Sequence, residues 1–177
     1  MKKTGIVCVV VLLTLCNVTA QSRNHGNRYN TRDIVNLTLS AGLPLGDAAD
    51  VSNINLSGGL LFQVVMNENL NLTLGGTYSH FIGKKVTEDV ITIEFEDISS
   101  VLLGGGARWF FNTDFVAGIE LGYAIGVMPE SYDGGFYYSP NLRYYLTNST
   151  NVFLNYTSIA NDGSALSSVN LGFEFGL

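Results

Sequence analysis

Four ionisable residues, Arg108, Glu120, Arg143 and Glu174, stand inside segments that otherwise alternate between large apolar and small polar side chains. Two carboxylates and two guanidinium groups so placed can do one of two things. Gathered in a low-dielectric space they neutralise one another, because a buried charge left unpaired costs several kcal/mol. Set apart and hydrated, they can pass protons or act as an acid and base pair. Hydrolytic chemistry needs a hydroxyl activated by a neighbouring base, and His25 and His80 are the only imidazoles. Ser79 adjoins His80, but neighbours on a strand point to opposite faces. A triad on one face therefore needs a different Ser, with Asp97 as acid if the register of the flanking segments permits. Gly104-Gly105-Gly106 lacks the Lys-Ser/Thr of a phosphate loop and falls within a strand. On these residues no catalytic, cofactor or metal site is assigned, and the ionic quartet reads as an interior structural network.

The elements that must position the quartet are short strands. Residues 1–20 read as a signal peptide: Lys2 and Lys3, an apolar core from Ile6 to Cys16, and Val18-Thr19-Ala20 before the cut. Both cysteines, Cys8 and Cys16, lie in it, so disulfides and thiolate ligands are not expected in the remainder. Loss of Lys2 and Lys3 takes the formal charge from −6 to −8, because 9 − 15 becomes 7 − 15. Residues 21–32 lack periodicity and read as a polar N-terminal tail. From 33 to 177 the chain reads as one all-β domain. Period-two segments run near 33–41, 54–66, from Leu70, and near 100–111, 117–126, 136–144, 152–156 and 168–177. Their lengths approach the roughly nine to eleven residues of a tilted membrane strand. Leu61, Val65, Phe110, Tyr137, Tyr145 and Phe153 break the pattern on the polar parity.

Alternation does not say which face is inside, and a soluble carrier barrel would put its apolar face around a ligand. Bulk decides the matter. Nearly every position on one parity is a large apolar residue, too much volume for the inside of an eight-stranded barrel, whereas the other parity is rich in Gly, Ser, Asn and Thr. The expected architecture is an eight-stranded antiparallel up-and-down transmembrane β-barrel with a filled polar interior. Tight turns near 67–69, 112–114 and 147–151 alternate with longer acidic loops, which places the turns and both termini on the periplasmic side.

All four strand charges have the inward parity and lie toward the tight turns. A turn around Thr113 sets Arg108 opposite Gly118, with Glu120 as its diagonal neighbour. Trp109, Phe111, Phe115, Tyr144 and Phe175 are expected to form a periplasmic aromatic girdle, and Tyr78, Tyr123, Tyr138 and Tyr156 to contribute to the outer one. Pro140 cannot donate to a ladder and is expected to make a bulge.

Together with the leader, the strand count, the loop asymmetry and the ending Asn170-Leu171-Gly172-Phe173-Glu174-Phe175-Gly176-Leu177, these features resemble the small eight-stranded outer-membrane β-barrels typified by the OmpA membrane domain and OmpX. The ending departs by closing on Leu177 rather than on an aromatic residue. The resemblance implies an integral outer-membrane protein, monomeric and not an enzyme, surrounded by outer-membrane lipid and recognised by the barrel-insertion machinery through its last strand. Nucleic acid is not an expected partner. Some small barrels modify lipid A with a His, a Ser and an acid near the outer leaflet, so an enzyme using His80 is one alternative and a narrow channel another.

Topology assigns Asp47, Asp50, Glu88, Asp89, Glu94, Glu96, Asp97, Glu130, Asp133 and Asp162 to the extracellular side, against Lys84 and Lys85. Such a rim favours cationic partners or divalent-cation contacts. Within residues 81–98, Ile91, Ile93 and Phe95 alternate with Thr92, Glu94 and Glu96, continuing the following strand outward as a hairpin turning at Glu88-Asp89. With Lys84 and Lys85 these apolar residues form the candidate surface contact of a protein with a structural or adhesion-like role.

Overall fold

The alternating segments close on themselves. The computed structural model describes residues 34–88, 91–161 and 163–177. Its strands are β1 (Ile34–Leu45), β2 (Ser52–Asn67), β3 (Leu70–Gly83), β4 (Lys85–Glu88), β5 (Ile91–Glu94), β6 (Ile98–Phe110), β7 (Phe115–Met128), β8 (Gly134–Tyr145), β9 (Thr150–Asn161) and β10 (Ser164–Gly176), with one short helix α1 (Asp47–Val51). Eight of the strands pair antiparallel in the cyclic order β1-β10-β9-β8-β7-β6-β3-β2, and β4 with β5 forms a separate two-stranded sheet. Closure pairs Leu39 of β1 with Phe173 of β10 and with Gly58 of β2, so neither terminal strand has a free edge.

Side-chain direction follows the parity of the sequence. Leu74 is 67% exposed and Leu171 59%, along with Leu56, Leu60, Leu103, Leu121 and Leu154, whereas Asn71, Thr73, Ser139, Asn141 and Asn170 are buried. Among the described residues no helix is long and apolar enough to cross a membrane, which says nothing about crossing by strands.

Three ends of the barrel wall turn tightly, and the turn chemistry is local. Asn67 Oδ1 accepts the Asn69 amide at 3.0 Å, and Asn112 Oδ1 accepts the amides of Asp114 and Phe115 at 2.9 and 2.8 Å. Thr147 Oγ1 accepts the Ser149 amide at 3.3 Å. Such side-chain bonds imitate a backbone turn and fix the hairpin register.

Pro140 makes no bulge. The β8 to β9 ladder stops after Tyr138↔Ser158 and resumes in the same register at Asn141↔Asn155. Across the gap Ser139 Oγ lies 3.0 Å from Thr157 Oγ1, and Asn155 Nδ2 donates to Ser139 Oγ at 3.2 Å, so side chains stand in for the missing ladder bond. Bulges fall instead between Ser52 and Ile54 and between Val65 and Asn67 on β2, and beside Ser99, where Met128 and Gly126 are the successive β7 partners of Ser99 and Ser100.

The strands run further than the alternation, with β1 reaching Leu45, β8 starting at Gly134 and β9 ending at Asn161. At this end the interior itself is apolar: Ala48, Phe81, Leu102, Ala124, Tyr137, Ile159 and Leu166 form a buried cluster, with Ile98 and Tyr132 packed on it. Toward the loops the interior therefore mixes these apolar residues with buried serines such as Ser79 and Ser100, and where both faces carry apolar residues the period-two signal fades.

Candidate functional site

The interior charges meet at the level of the tight turns because three strand ends deliver them there: Arg108 near the end of β6, Arg143 near the end of β8, and Glu174 near the end of β10. Arg108 and Glu174 are each 1% exposed. Arg108 Nη1 and Nη2 donate to Glu174 Oε1 and Oε2 at 2.9 and 2.7 Å, a bidentate pair. Arg143 Nη1 donates to Glu174 Oε2 at 2.7 Å, and its Nη2 to Glu120 Oε1 at 3.2 Å. Neutral groups complete the plug: Gln63 Oε1 accepts from Arg108 at 2.7 Å, Asn151 Nδ2 donates to Glu174 at 3.0 Å, and Asn141 Oδ1 accepts Arg143 Nε at 3.1 Å. The Arg143 guanidinium also lies 4.8 Å from the centroid of the Phe153 ring, one of the aromatics that broke the alternation.

Register and pairing diverge in one respect. Arg108 stands opposite Gly118, which makes Glu120 its diagonal neighbour. Glu120 nevertheless turns to Arg143, while Arg108 reaches to Glu174 on β10. The stronger partner comes from a strand far away in sequence, where no local spacing could indicate it.

The wall aromatics point outward. Trp109, Phe111, Phe115, Tyr144, Tyr78, Tyr123 and Tyr138 are exposed, and Phe175 and Tyr156 are half-buried. Phe115 and Tyr144 pack with ring centroids 4.8 Å apart beside the turns, and Tyr138 and Tyr156 at 5.9 Å on the opposite half.

A Ser, a His and an Asp also come together on the outer wall. The ladder sets His80 against Ser99, and His80 Nδ1 lies 2.8 Å from Ser99 Oγ, while Nε2 is 3.5 Å from Asp97 Oδ2. The sequence offered Ser79 as the neighbour, whereas Ser99 is the residue that shares the face of His80. Ser99 is 1% exposed, its hydroxyl covered in this arrangement. Asp97 Oδ1 accepts the Gly83 amide at 2.7 Å. This arrangement clasps the ends of β3 and β6 where they leave the barrel wall. Among the described residues no group of three His, Cys, Asp or Glu is placed to hold a metal ion.

The outer hairpin continues β3 and β6 in register: Phe81↔Ile98 is followed by Lys85↔Glu94 and Glu88↔Ile91, with a break in the ladder around Lys84. The strands β4 and β5 form a two-stranded sheet of their own beyond that break, and Asp89, where the turn was expected, lies outside the described residues. Lys84 donates its amide to Val51 O at 2.8 Å, one residue beyond Ser52↔Gly83, and accepts the Phe95 amide at 3.0 Å, which carries the pairing of β3 and β6 into the hairpin. Lys85 Nζ and Glu94 Oε1 are 2.6 Å apart with both side chains exposed, and Phe95 is half-buried. The side chains of Ile91 and Ile93 lie outside the described residues.

Fold, outward apolar wall and inward ionic plug define the small eight-stranded outer-membrane type of β-barrel. Comparison with solved structures gives the same class. Ail, the attachment invasion locus protein of Yersinia pestis, matches with a TM-score of 0.57 and 12% identity over 82% of this chain and 97% of that one. Its complex with the heparin analogue sucrose octasulfate matches at 0.51 and 12% identity, with the same coverage. A de novo designed transmembrane β-barrel matches at 0.55 and 13% identity over 84% of this chain and 99% of the design. At these identities the likeness establishes a shared fold. No protein-family model and no curated protein sequence matches the chain.

Proposed function

We propose that the protein is an integral outer-membrane barrel without enzymatic activity, whose role is to present the hairpin of residues 84–95 to an extracellular partner. The observation that carries this reading is the projection of β4 and β5 beyond the closed barrel sheet, in the register of β3 and β6: a lipid-seated wall has no need of them, and they stand at the end opposite the tight turns. In this reading the tight turns and both termini are periplasmic, residues 1–20 direct export, and β10, with Leu171, Phe173 and Phe175 outward, is the strand recognised by the insertion machinery. Lipid contacts the outward Leu, Phe and Tyr residues, and the aromatic sets mark the two interfaces.

Charge selects the partner class. Asp47, Asp50, Glu94, Glu96, Asp97, Glu130 and Asp133 crowd the loop end against Lys84 and Lys85, and Lys85 is already paired with Glu94. The Yersinia protein's structure with a polysulfated heparin analogue is therefore no guide to this rim, which repels polyanions and favours a basic protein surface or bridging divalent cations. Hydrolysis of lipid A is disfavoured by the buried hydroxyl of Ser99, and conduction by the Arg108, Arg143 and Glu174 plug.

The test combines location and capture. Membrane fractionation with heat-modifiable gel migration is expected to recover a folded barrel in the outer membrane, with and without residues 84–95. Capture of an extracellular protein is expected to need that hairpin and to weaken with salt. Recovery in the soluble periplasmic fraction, or equal capture after the deletion, would refute the reading.

A further inference from the structure

The connection between β1 and β2 turns back onto the barrel. After Leu45 the chain bends at Gly46, with φ 57°, into α1, whose Ala48 is 1% exposed and joins Phe81, Leu102, Ala124, Ile159 and Leu166 in the apolar cluster at the loop end. Five residues are too few for a helix to hold itself together in water. Asp47 and Asp50 in the first turn suit the positive end of the helix dipole, but the N-cap makes no side-chain bond and the last turn carries no basic residue. A Cβ on Gly46 would meet nothing within 4 Å, so glycine serves the positive φ of the bend and not a shortage of space.

What the carboxyl end of α1 lacks arrives from the outer hairpin. Lys84 Nζ donates to Ala49 O at 3.4 Å, and the Lys84 amide donates to Val51 O at 2.8 Å. Two carbonyls at the helix end thus find donors on one distant residue, and its ammonium stands at the negative end of the dipole. The two neighbouring lysines divide accordingly: Lys84 is half-buried against α1, whereas Lys85 is exposed and paired with Glu94.

We propose that α1 is a lid on the loop-end mouth, hinged at Gly46 and latched by Lys84, so that the seating of the outer hairpin decides whether the apolar cluster is covered. Closed, α1 shares in a cluster whose Phe81 and Ile159 are 1% and 0% exposed. Open, it would leave apolar side chains to water, which keeps the open state rare, while the shortness of α1 lets it leave without unravelling the strands. Latch and hairpin are one segment, since Lys84 is the residue at which the hairpin begins. For its use this inference rests on the proposed role of the hairpin: a partner that draws β4 and β5 aside would draw Lys84 away from α1.

Thiol accessibility reads the lid with no partner present, so its outcome is separate from that of capture by the hairpin. The full chain, with Cys8 and Cys16 replaced by Ser, is refolded into phosphatidylcholine vesicles, and each variant is checked for folding by heat-modifiable migration. Ala48→Cys is expected to react with a small charged methanethiosulfonate reagent at least about tenfold more slowly than Ser131→Cys, in the exposed loop between β7 and β8, because reaction waits on local opening. Lys84→Met removes the ammonium and is expected to speed the Ala48→Cys reaction by roughly threefold, the scale of one weak hydrogen bond. Lys84→Pro also removes the amide donor, keeps the carbonyl that accepts from Phe95, and is expected to speed it by about tenfold or more. Gly46→Ala, which leaves the hairpin untouched, is expected to speed it as well by straining the bend. Replacing residues 86–93 by a two-residue Asn-Gly turn keeps Lys84 and is expected to leave the rate unchanged. Equal rates for Ala48→Cys and Ser131→Cys would overturn the lid, and Lys84 variants without effect would overturn the latch. Acceleration matched by an equal change in the urea unfolding equilibrium of the whole barrel would overturn both.

Discussion

Replacing Glu174 by Gln removes one negative charge and almost no volume from the most densely bonded point of the interior. Glu174 accepts four hydrogen bonds, two from Arg108, one from Arg143 and one from Asn151. After the change Arg143 keeps Glu120 at 3.2 Å, whereas Arg108 loses its bidentate carboxylate and keeps neutral partners such as the oxygen of Gln63. The interior goes from balanced to one positive charge in excess, with that charge on a guanidinium that is 1% exposed. Breaking a buried pair on one side costs about 3–5 kcal/mol. Urea unfolding of the barrel in lipid vesicles, followed by Trp109 fluorescence and by gel migration of the folded form, measures the loss. Adding Arg108→Met deletes the stranded charge, and the double variant is expected to recover more than half of the loss, a coupling within the range of about 0.5–3 kcal/mol found for contacting groups. A loss below about 1 kcal/mol for Glu174→Gln, the scale of solvent-exposed pairs, would mean that water reaches the plug and that the network is not buried in function.

Three further predictions test other parts of the barrel. Leu121→Arg, halfway along β7 on the outer wall, is expected to cost about 2–4 kcal/mol in vesicles, against about 0–1 for Leu43→Arg at the rim; equal costs would remove the lipid-facing assignment. Gly122→Ala would bring a Cβ within 2.1 Å of the Leu103 carbonyl oxygen and 2.8 Å of the Tyr137 ring, so a loss of about 1–3 kcal/mol from overpacking is expected in the same unfolding assay. The Tyr132 hydroxyl in the loop between β7 and β8 is buried without a partner, and burial pushes its phenol from the usual 10 up to about 12. The unfolded chain therefore ionises there first, so barrel stability should decline as pH rises from about 10 to about 12. Tyr132→Phe is expected to flatten that decline and to stabilise the barrel by roughly 1 kcal/mol at neutral pH.

Much of the wall was legible along the chain because the pleat gives each residue its side before any partner is chosen. Leu72 and Asn71 look out and in as the period-two rule requires, and the Asn67 and Asn112 turns carry their own hydrogen-bond acceptors. Pro140 was misread because the rule concerns the backbone, whereas the defect is bridged by the side chains of Ser139, Thr157 and Asn155. The outer hairpin was legible as a continuation of β3 and β6 because its alternation is in phase with them, and Lys85↔Glu94 keeps the register of Phe81↔Ile98. The bond from the Lys84 amide to Val51 O, at the end of α1 some thirty positions earlier, has no local signal.

By itself, then, the sequence determined which faces of the strands meet oil and which meet the interior, how many strands close the wall, and where they turn. These follow from local geometry. Only the closed barrel decided that Arg108 pairs with Glu174 rather than with Glu120, that His80 meets Ser99 rather than Ser79, and that Phe81, Leu102 and Ile159 converge to shut the loop end. Each of those contacts joins residues on strands whose relative height is set by tilt and stagger around the whole cylinder, and no period within a single strand encodes that stagger.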